Sequence, residues 1–349
     1  MPERTPADRV PVLIASWLDP GHAERIAAAE PDRIELVYEP GLLPTPRYEA
    51  DHHGRPRALT DEERRRWREC LSRAVVMFEF DWELPEELLR RAPRLRWVQT
   101  TSSGIGPRVE RLGLAKEPVV ITNAAGIHAQ PLAEFVMLAS LHFAREMPRL
   151  NAWKEDRHWE RFCGRQLSGS RMTLIGMGRV GSRIAELGAA LEIRVTGHRR
   201  TPGRGALPGV SRVVDADGLD AVLPETDLLV IAVPDTPETR HLIDRRRLQL
   251  LPASAVIVNV GRGSIVDQAA MIEMLQSGRL RGAALDVFEE EPLPTDNPLW
   301  AMPNVIISPH SASTVVEEND RLVELFVDNL HRYLDGRPLV NVFDPGRGY

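Results

Sequence analysis

The stretch Ile175-Gly176-Met177-Gly178-Arg179-Val180-Gly181 lies midway along the chain and reads as a strand end, a glycine turn and a helix start. A largely apolar segment precedes it, and small or apolar residues follow it with helical spacing. In this setting the first glycine allows a tight turn, the second lets backbone approach a pyrophosphate, and the third lets helix and strand pack closely. The helix N-terminus adds N–H groups and a positive dipole that favour an anion. The stretch therefore predicts a dinucleotide-binding turn.

The residues after the second strand indicate which dinucleotide is bound. About twenty residues beyond such a turn, an Asp or Glu usually accepts a hydrogen bond from the ribose 2′-OH. Here a strand over residues 193–197 is followed by His198, Arg199, Arg200 and Thr201. Two guanidinium groups would hold a 2′-phosphate, which a carboxylate would repel. We therefore predict that Arg199 and Arg200 favour NADP(H) over NAD(H), with a solvated basic turn as the alternative.

Length and composition indicate a two-domain intracellular enzyme. A chain of 349 residues exceeds the size at which single cores stop growing. The net charge of −6 argues against a general nucleic-acid-binding surface, and no apolar run is long enough to span a membrane. The charged start of the chain lacks the apolar region of a signal peptide. Only two cysteines are present, so we expect free thiols and a cytoplasmic location.

Alternating strands and helices occur in two series, which predicts two α/β domains. The first series ends before residue 125, and a helix over 315–334, stopped by Gly336, returns the chain to it. We predict a Rossmann-type doubly wound parallel sheet domain, residues 126–313, inserted into a smaller flavodoxin-like α/β domain formed by residues 1–125 and 314–349. The strands of the smaller domain are expected at 12–14, 34–37, 74–77, 97–99 and 119–122. Those of the larger domain are expected at 172–175, 193–197, 212–214, 227–233, 255–260, 282–287 and 305–308.

The segment from residue 38 to residue 60 has no clear period and is predicted to be a long loop. It contains His52 and His53, but a metal needs three or four converging ligands and adjacent side chains on an extended chain point apart. We therefore predict no metal site. A role for Arg47, Tyr48 or His52 in shaping a substrate pocket stays open.

Three polar residues follow successive strands of the larger domain. Arg262 comes after the strand that ends near Asn259, Glu291 after the next strand, and His310 after the last one. In open parallel sheets, ligands bind outside the carboxyl ends of the strands, so the three side chains can converge beside the cofactor. A fixed cation can clamp a carboxylate, an imidazole can exchange a proton near neutral pH, and a carboxylate can fix its tautomer. These residue types suit hydride chemistry on a 2-oxo or 2-hydroxy acid.

Residues from about 95 to 342 resemble the D-isomer-specific 2-hydroxyacid dehydrogenase family. The resemblance rests on several motifs: Leu167-Ser168-Gly169, the glycine turn, Val233-Pro234-Asp235-Thr236-Pro237-Glu238-Thr239, Asn259-Val260-Gly261-Arg262-Gly263, Asp286-Val287-Phe288-Glu289-Glu290-Glu291-Pro292 and Ser308-Pro309-His310. It implies that His310 is the acid/base, Glu291 its partner and Arg262 the substrate clamp.

The resemblance also implies the residues that contact the cofactor and the substrate carboxylate. The expected cofactor contacts are Gly176, Gly178, Arg179, Val180, Gly181, Val233, Pro234 and Val260, together with Asp286 at the carboxamide. The loop Thr101–Ile105, with Ser103 and Gly104, resembles the family loop whose N–H groups bind the substrate carboxylate from the other domain. The family's usual aspartate after this loop is replaced by Gly106.

The basic residue at position 199 is similar to that of the family's NADPH-dependent glyoxylate and hydroxypyruvate reductases. The resemblance implies a homodimer joined through the nucleotide-binding domain. The expected activity is reduction of a small 2-oxo acid to its D-2-hydroxy acid. Two alternatives stay open: a nucleotide-sensing interaction protein like the C-terminal-binding-protein corepressors, and a formate dehydrogenase. Glu291 argues against the latter, because that branch typically carries an amide there.

Overall fold

A computed structural model describes residues 9–55, 57–199 and 207–346. The chain divides into two compact units, residues 1–127 with 314–349 (unit 1) and residues 128–313 (unit 2). The first division falls two residues after the expected boundary at 125, and the second coincides with the expected boundary at 313. Both series of elements are parallel α/β structures, and each is described by itself below.

Unit 1 is built on a five-stranded sheet in the order β2-β1-β3-β4-β5. All its strand pairs are parallel, and this strand order is the flavodoxin-like one. The expected fold class of the smaller domain is therefore confirmed. The strands are β1 Val10–Ile14, β2 Ile34–Val37, β3 Val76–Phe78, β4 Trp97–Gln99 and β5 Val120–Thr122.

Helices cover the sheet of unit 1. The second helix begins with a capping box, in which Thr60 and Glu63 satisfy each other's backbone N–H groups, and it buries Trp67 and Leu71. The last helix starts at residue 318, three residues later than the apolar pattern predicts, and buries Phe326 against the Trp97 ring. The helices are α1 Pro20–Ala29, α2 Asp61–Arg73, α3 Leu88–Arg91, α4 Gly106–Arg111 and α11 Glu318–Leu334, with short 3-10 turns at Pro40–Leu42, Pro85–Glu87 and Leu114–Lys116.

The segment from 38 to 60 is more ordered than its sequence indicates. The buried carboxylate of Asp51 accepts hydrogen bonds from the Arg47 guanidinium and from the N–H groups of Arg47, His53 and Gly54. An antiparallel bridge joins Thr45 to Arg55. The segment is thus a loop held by its own polar contacts. The residues that make them show no regular spacing in the sequence, so the sequence did not predict this order.

Unit 2 is built on a seven-stranded sheet in the order β12-β11-β10-β9-β6-β7-β8. All its strand pairs are parallel, and the order reverses beside β6, as in the Rossmann fold. The strands are β6 Arg171–Ile175, β7 Arg194–His198, β8 Val210–Val214, β9 Leu228–Ile231, β10 Val256–Asn259, β11 Gly282–Leu285 and β12 Val305–Ile307. Strand β7 runs one residue past the expected end at Gly197, because His198 pairs with Val214.

The helices of unit 2 lie between these strands and before the first of them. Asp267 caps α10 and Gly278 ends it with a positive φ of 70°, as the sequence indicates. The helices are α5 Ala129–Ala144, α6 Met147–Glu155, α7 Arg179–Ala190, α8 Ala216–Val222, α9 Arg245–Leu250 and α10 Gln268–Gln276, with 3-10 turns at Leu223–Glu225, Gly263–Ile265 and Pro298–Ala301. Over the described residues, no helix is both long and apolar enough to cross a membrane.

Candidate active site

The glycine turn joins β6 to α7 and leaves room for a phosphate group. Gly176 has a φ of 103°, and a Cβ on Gly181 would lie only 1.9 Å from the Gly176 carbonyl oxygen. Only glycine permits this close packing. A Cβ on Gly178 would meet no atom within 4 Å, and α7 begins at Arg179 without a side-chain cap. The backbone at Gly178, where α7 begins, is therefore open to the approach of a ligand, which fits the pyrophosphate of a dinucleotide.

The end of the next strand holds the residues expected at the adenosine ribose. The Arg199 N–H donates to the Val214 carbonyl at 2.9 Å, and the Arg199 side chain is half-buried. The neighbouring His198 ring is buried, and burial lowers its pKa with a further contribution from the Arg247 charge. His198 is therefore neutral near pH 7, and Arg199 supplies positive charge at this strand end. Arg200 and Thr201 lie outside the described residues.

The turn after β9 contains Val233 and Pro234, and it is stabilised by a threonine. The Thr239 hydroxyl donates to the Pro234 carbonyl at 2.8 Å and accepts from the Thr236 N–H at 2.8 Å. Val260, which follows the adjacent strand β10, is buried. These residues stand at the carboxyl ends of neighbouring parallel strands, at the same edge of the sheet as the glycine turn.

Arg262 lies on a loop whose backbone is shaped by a buried asparagine. The Asn259 side chain accepts from the Gly261 N–H and donates to the Arg262 carbonyl, both at 3.0 Å. The Arg262 side chain is exposed, and its guanidinium donates to the Gly261 carbonyl at 2.7 Å. The next residue, Gly263, packs directly on the loop after β11, where an added Cβ would lie 1.9 Å from the Phe288 carbonyl carbon. This close approach holds the Arg262 loop against the segment that carries Glu291.

Asp286 organises the loop that carries His310. Its buried Oδ1 accepts hydrogen bonds from the Ser308 hydroxyl at 2.6 Å and from the N–H groups of Ser311 and Ala312 at 2.8 Å. Its backbone carbonyl accepts from the His310 N–H at 2.9 Å. His310 itself adopts a left-handed conformation with a φ of 54°. Asp286 thus holds the loop that carries His310, a role that the sequence alone does not indicate.

Glu291 and His310 form a direct hydrogen bond. The Glu291 Oε2 lies 2.7 Å from the His310 Nδ1, while Oε1 accepts from the Phe288 N–H at 3.0 Å. A carboxylate only accepts, so Nδ1 carries a proton and Nε2 is the nitrogen available for proton exchange. Both side chains are exposed to more than a third. The structure therefore joins two of the three strand-end residues, whereas over the described residues no hydrogen bond or ion pair joins the Arg262 side chain to either of them.

In unit 1, the loop Thr101–Ile105 follows β4. The Ser102 carbonyl accepts from the Thr100 hydroxyl at 3.0 Å and from the Ala124 N–H at 3.1 Å, which fixes the loop at its base. Within the part of the chain that the structure describes, the N–H groups of Ser103 and Gly104 donate to no protein acceptor. Ser103 is half-buried and Gly104 is exposed.

The two histidines of the long loop lie apart, as an extended chain requires. The His52 ring approaches the Ser16 hydroxyl at 3.0 Å through Nδ1, whereas His53 is exposed. Burial lowers the pKa of His52, which is therefore a neutral group beside the end of β1. Among residues 9–55, 57–199 and 207–346, no group of three or more His, Cys, Asp or Glu side chains is placed to hold a metal ion.

Comparison with known proteins agrees with this arrangement. Residues 137–312 match the family described as D-isomer specific 2-hydroxyacid dehydrogenase, NAD binding domain. The glyoxylate reductase of Aeropyrum pernix is 35% identical over 279 residues, which cover 74% of this chain and 82% of that protein. The glyoxylate/hydroxypyruvate reductase B of Serratia proteamaculans is 31% identical, over 82% of this chain and 89% of that protein.

Solved structures with similar folds include two bound to a phosphorylated cofactor. A D-isomer specific 2-hydroxyacid dehydrogenase from Xanthobacter autotrophicus Py2, in complex with NADPH and MES, has a TM-score of 0.77 and 30% identity, covering 98% of this chain and 100% of that one. An NADPH-dependent glyoxylate/hydroxypyruvate reductase from Sinorhizobium meliloti, in complex with NADP and sulfate, has a TM-score of 0.75 and 27% identity, over 98% of this chain and 100% of that one.

Proposed function

This chain belongs to the D-isomer-specific 2-hydroxyacid dehydrogenase family, and we propose that it reduces glyoxylate or hydroxypyruvate with NADPH. It is an oxidoreductase that transfers a hydride between NAD(P)H and a 2-oxo acid. The observation that carries the proposed reduction is the 2.7 Å hydrogen bond between Glu291 and His310, which leaves the His310 Nε2 to exchange the proton of the substrate hydroxyl. The choice of glyoxylate or hydroxypyruvate and of NADPH is supported by the relatives.

Each site residue has a role that follows from its chemistry. His310 donates a proton to the carbonyl oxygen as it is reduced, and Glu291 holds the imidazole in one tautomer and stabilises its protonated form. Arg262 binds the substrate carboxylate and polarises the adjacent carbonyl. The Ser103 and Gly104 N–H groups bind a carboxylate oxygen. The reduced nicotinamide, when bound, supplies the hydride.

The cofactor preference rests on the end of β7. The open space at Gly178 and the uncapped start of α7 fit the pyrophosphate. Position 199 is an arginine where an acid would favour NAD(H). Two structural relatives hold NADPH or NADP. We therefore propose that Arg199 and Arg200 bind the 2′-phosphate, that Val233, Pro234 and Val260 line the nucleotide, and that Asp286 receives the carboxamide.

Exposed apolar side chains on α5 and α6 support a homodimer formed through unit 2. Leu138 and Leu141 on α5 and Leu150 on α6 are exposed, and Trp159 beyond them is 97% exposed. An interface is the environment that such an exposed aromatic side chain favours. A second copy of this chain would cover these apolar side chains. The free thiols of Cys70 and Cys163 support the proposed cytoplasmic location.

The decisive test is a panel of 2-oxo acids assayed with NADPH and NADH. We expect the highest kcat/KM with glyoxylate or hydroxypyruvate and NADPH. Relatives that are glyoxylate or hydroxypyruvate reductases support the substrate, and Arg199 supports the 2′-phosphate. A protein that binds NADPH tightly but turns over no 2-oxo acid would instead support a nucleotide-sensing role. A preference for a bulky 2-oxo acid would overturn the proposed substrate class.

A further inference from the structure

Glu79 is a buried carboxylate directly after β3, at the carboxyl end of the sheet of unit 1. Its residue is 5% exposed, and its backbone is left-handed with a φ of 70°, which is uncommon for a residue with a side chain. The activity proposed above assigns it no role. A buried charge in an unfavourable backbone conformation requires strong local partners.

Four donors satisfy this carboxylate. Oε2 accepts from the Thr101 N–H at 2.9 Å and from the Thr101 hydroxyl at 2.8 Å. Oε1 accepts from the Phe80 N–H at 3.0 Å and from the Arg108 guanidinium at 2.8 Å. Burial raises the pKa of Glu79, but the Arg108 charge and the donated hydrogen bonds outweigh burial, so the pKa lies below its usual value. Glu79 is therefore an anion at neutral pH.

The partners of Glu79 flank the loop proposed to bind the substrate carboxylate. Thr101 is the first residue of the loop Thr101–Ile105, and Arg108 lies on α4, which begins immediately after it. The Arg108 guanidinium also lies over the Phe80 ring, 4.7 Å from its centroid. The Glu79 carboxylate thus binds one residue before and one residue after Ser103 and Gly104, namely Thr101 and Arg108.

The charge of Arg108 has a second consequence. An unpaired carboxylate behind the loop would repel the carboxylate of a 2-oxo acid, because charges in a partly buried site interact strongly. Because the Arg108 charge compensates that of Glu79, an anion approaching the loop interacts mainly with the loop N–H groups.

We propose that Glu79 and Arg108 are positioning residues that hold the loop Thr101–Ile105 in the conformation that binds the substrate carboxylate. This inference rests on the proposed function. Neither residue touches the reacting atoms. They act on substrate binding by keeping the Ser103 and Gly104 N–H groups ordered before the anion arrives, which lowers the entropic cost of binding.

The test compares Arg108→Met with Arg111→Met, a matched loss of charge at an exposed position on the same helix. We expect Arg108→Met to raise the KM for glyoxylate by about tenfold or more, the effect of losing one charge-assisted hydrogen bond. The kcat at saturation and the Kd for NADPH should stay near wild type. Arg108→Lys should recover part of the affinity, and Arg111→Met should behave as wild type. A folded Arg108→Met enzyme with an unchanged KM would overturn the proposal.

A second pair of variants covers the case in which Arg108→Met does not fold. Thr101→Val removes the hydroxyl donor but keeps the branched shape, whereas Thr101→Ser keeps the donor. We expect a raised KM in Thr101→Val and a near-normal KM in Thr101→Ser; equal KM values in the two folded variants would contradict the positioning role.

Failure of the proposed function has a different signature. A wild-type enzyme that turns over no 2-oxo acid would defeat the function itself. In that case the Kd for oxalate, a dicarboxylate probe, can still be measured by calorimetric titration and compared between wild type and Arg108→Met. Equal oxalate affinity in both would overturn the positioning role independently of catalysis.

Discussion

At the scale of single residues, the Glu291–His310 pair has the clearest expected effect. His310→Asn should lower kcat by about 10²–10⁴-fold, the usual contribution of a general acid/base. The Kd for NADPH should remain near wild type, because the glycine turn is untouched. Glu291→Gln should also lower kcat, because an amide oxygen holds the protonated imidazole less strongly than a carboxylate. Steady-state kinetics with a fluorescence titration of NADPH measure both quantities. Wild-type turnover in His310→Asn would remove this residue from the mechanism.

Arg262 should act on the substrate and not on the cofactor. Its planar guanidinium can bind a carboxylate with two parallel hydrogen bonds, which lysine cannot reproduce. Arg262→Lys should therefore raise the KM for the 2-oxo acid by roughly tenfold, the equivalent of one charge-assisted contact. Arg245→Lys, at an exposed arginine paired with Glu273 on unit 2, is a suitable control. Loss of NADPH binding in Arg262→Lys would place this residue in the nucleotide site instead.

Arg199 should decide between the two cofactors. A charge-assisted contact to the 2′-phosphate is worth about 1.5–3 kcal/mol, so wild type should prefer NADPH by about 10–100-fold in kcat/KM. Arg199→Asp should abolish or reverse the preference, mainly through the KM for the cofactor. Arg194→Asp makes the same charge change at the exposed start of β7 and should leave the preference intact. Equal kcat/KM values for NADPH and NADH in wild type would contradict the assignment.

At the scale of elements, the contact between two strand-end loops sets the geometry of the site. A Cβ on Gly263 would lie 1.9 Å from the Phe288 carbonyl carbon, so alanine must push the loops after β10 and β11 apart. A displacement of this kind can cost about 10²-fold in rate, because catalytic groups must be held within a fraction of an ångström.

We therefore expect Gly263→Ala to lower kcat/KM strongly and the melting temperature modestly. Gly278→Ala, at the positive-φ end of α10, provides the contrast: it meets no atom within 4 Å and strains only the backbone. It should lower the melting temperature while kcat/KM stays near wild type. Similar kcat/KM values in the two variants would show that the loop contact does not matter for catalysis.

At the scale of the whole molecule, the apolar face of α5 should control assembly. Wild type should have about twice the chain mass of 39.1 kDa in light scattering. Leu138→Asp together with Leu141→Asp should shift it to the monomer, because buried charges destabilise an apolar interface. Val316→Asp, at an exposed position of unit 1, should leave the mass unchanged. A monomeric wild type would rule out the dimer.

The sequence by itself determined the strands and the order in which strands and helices alternate. Buried apolar runs predicted the strands of both units to within about two residues, and the glycine turn identified where the nucleotide-binding series begins. Arg262, Glu291 and His310 were predicted as site residues because each follows an apolar run. The same criterion, applied to the acid after residues 74–78, would have singled out Glu79. These signals are local, since periodicity and turn chemistry depend on residues close in sequence.

Only the tertiary structure decided which distant groups meet. It showed that Asp286 holds the His310 loop and that Glu79 joins Thr101 to Arg108. The hydrogen bonds that order the segment around Asp51 are local, but they too were visible only in the folded structure. Helices α5 and α6, for which the sequence prompted no prediction, also came from the structure. The hydrogen bonds of Asp286 and Glu79 join residues up to tens of positions apart in sequence, and they depend on the packing of strands and the paths of loops. A hydrogen bond between two polar side chains leaves no periodic trace in the sequence, because its geometry exists only after the backbone has folded.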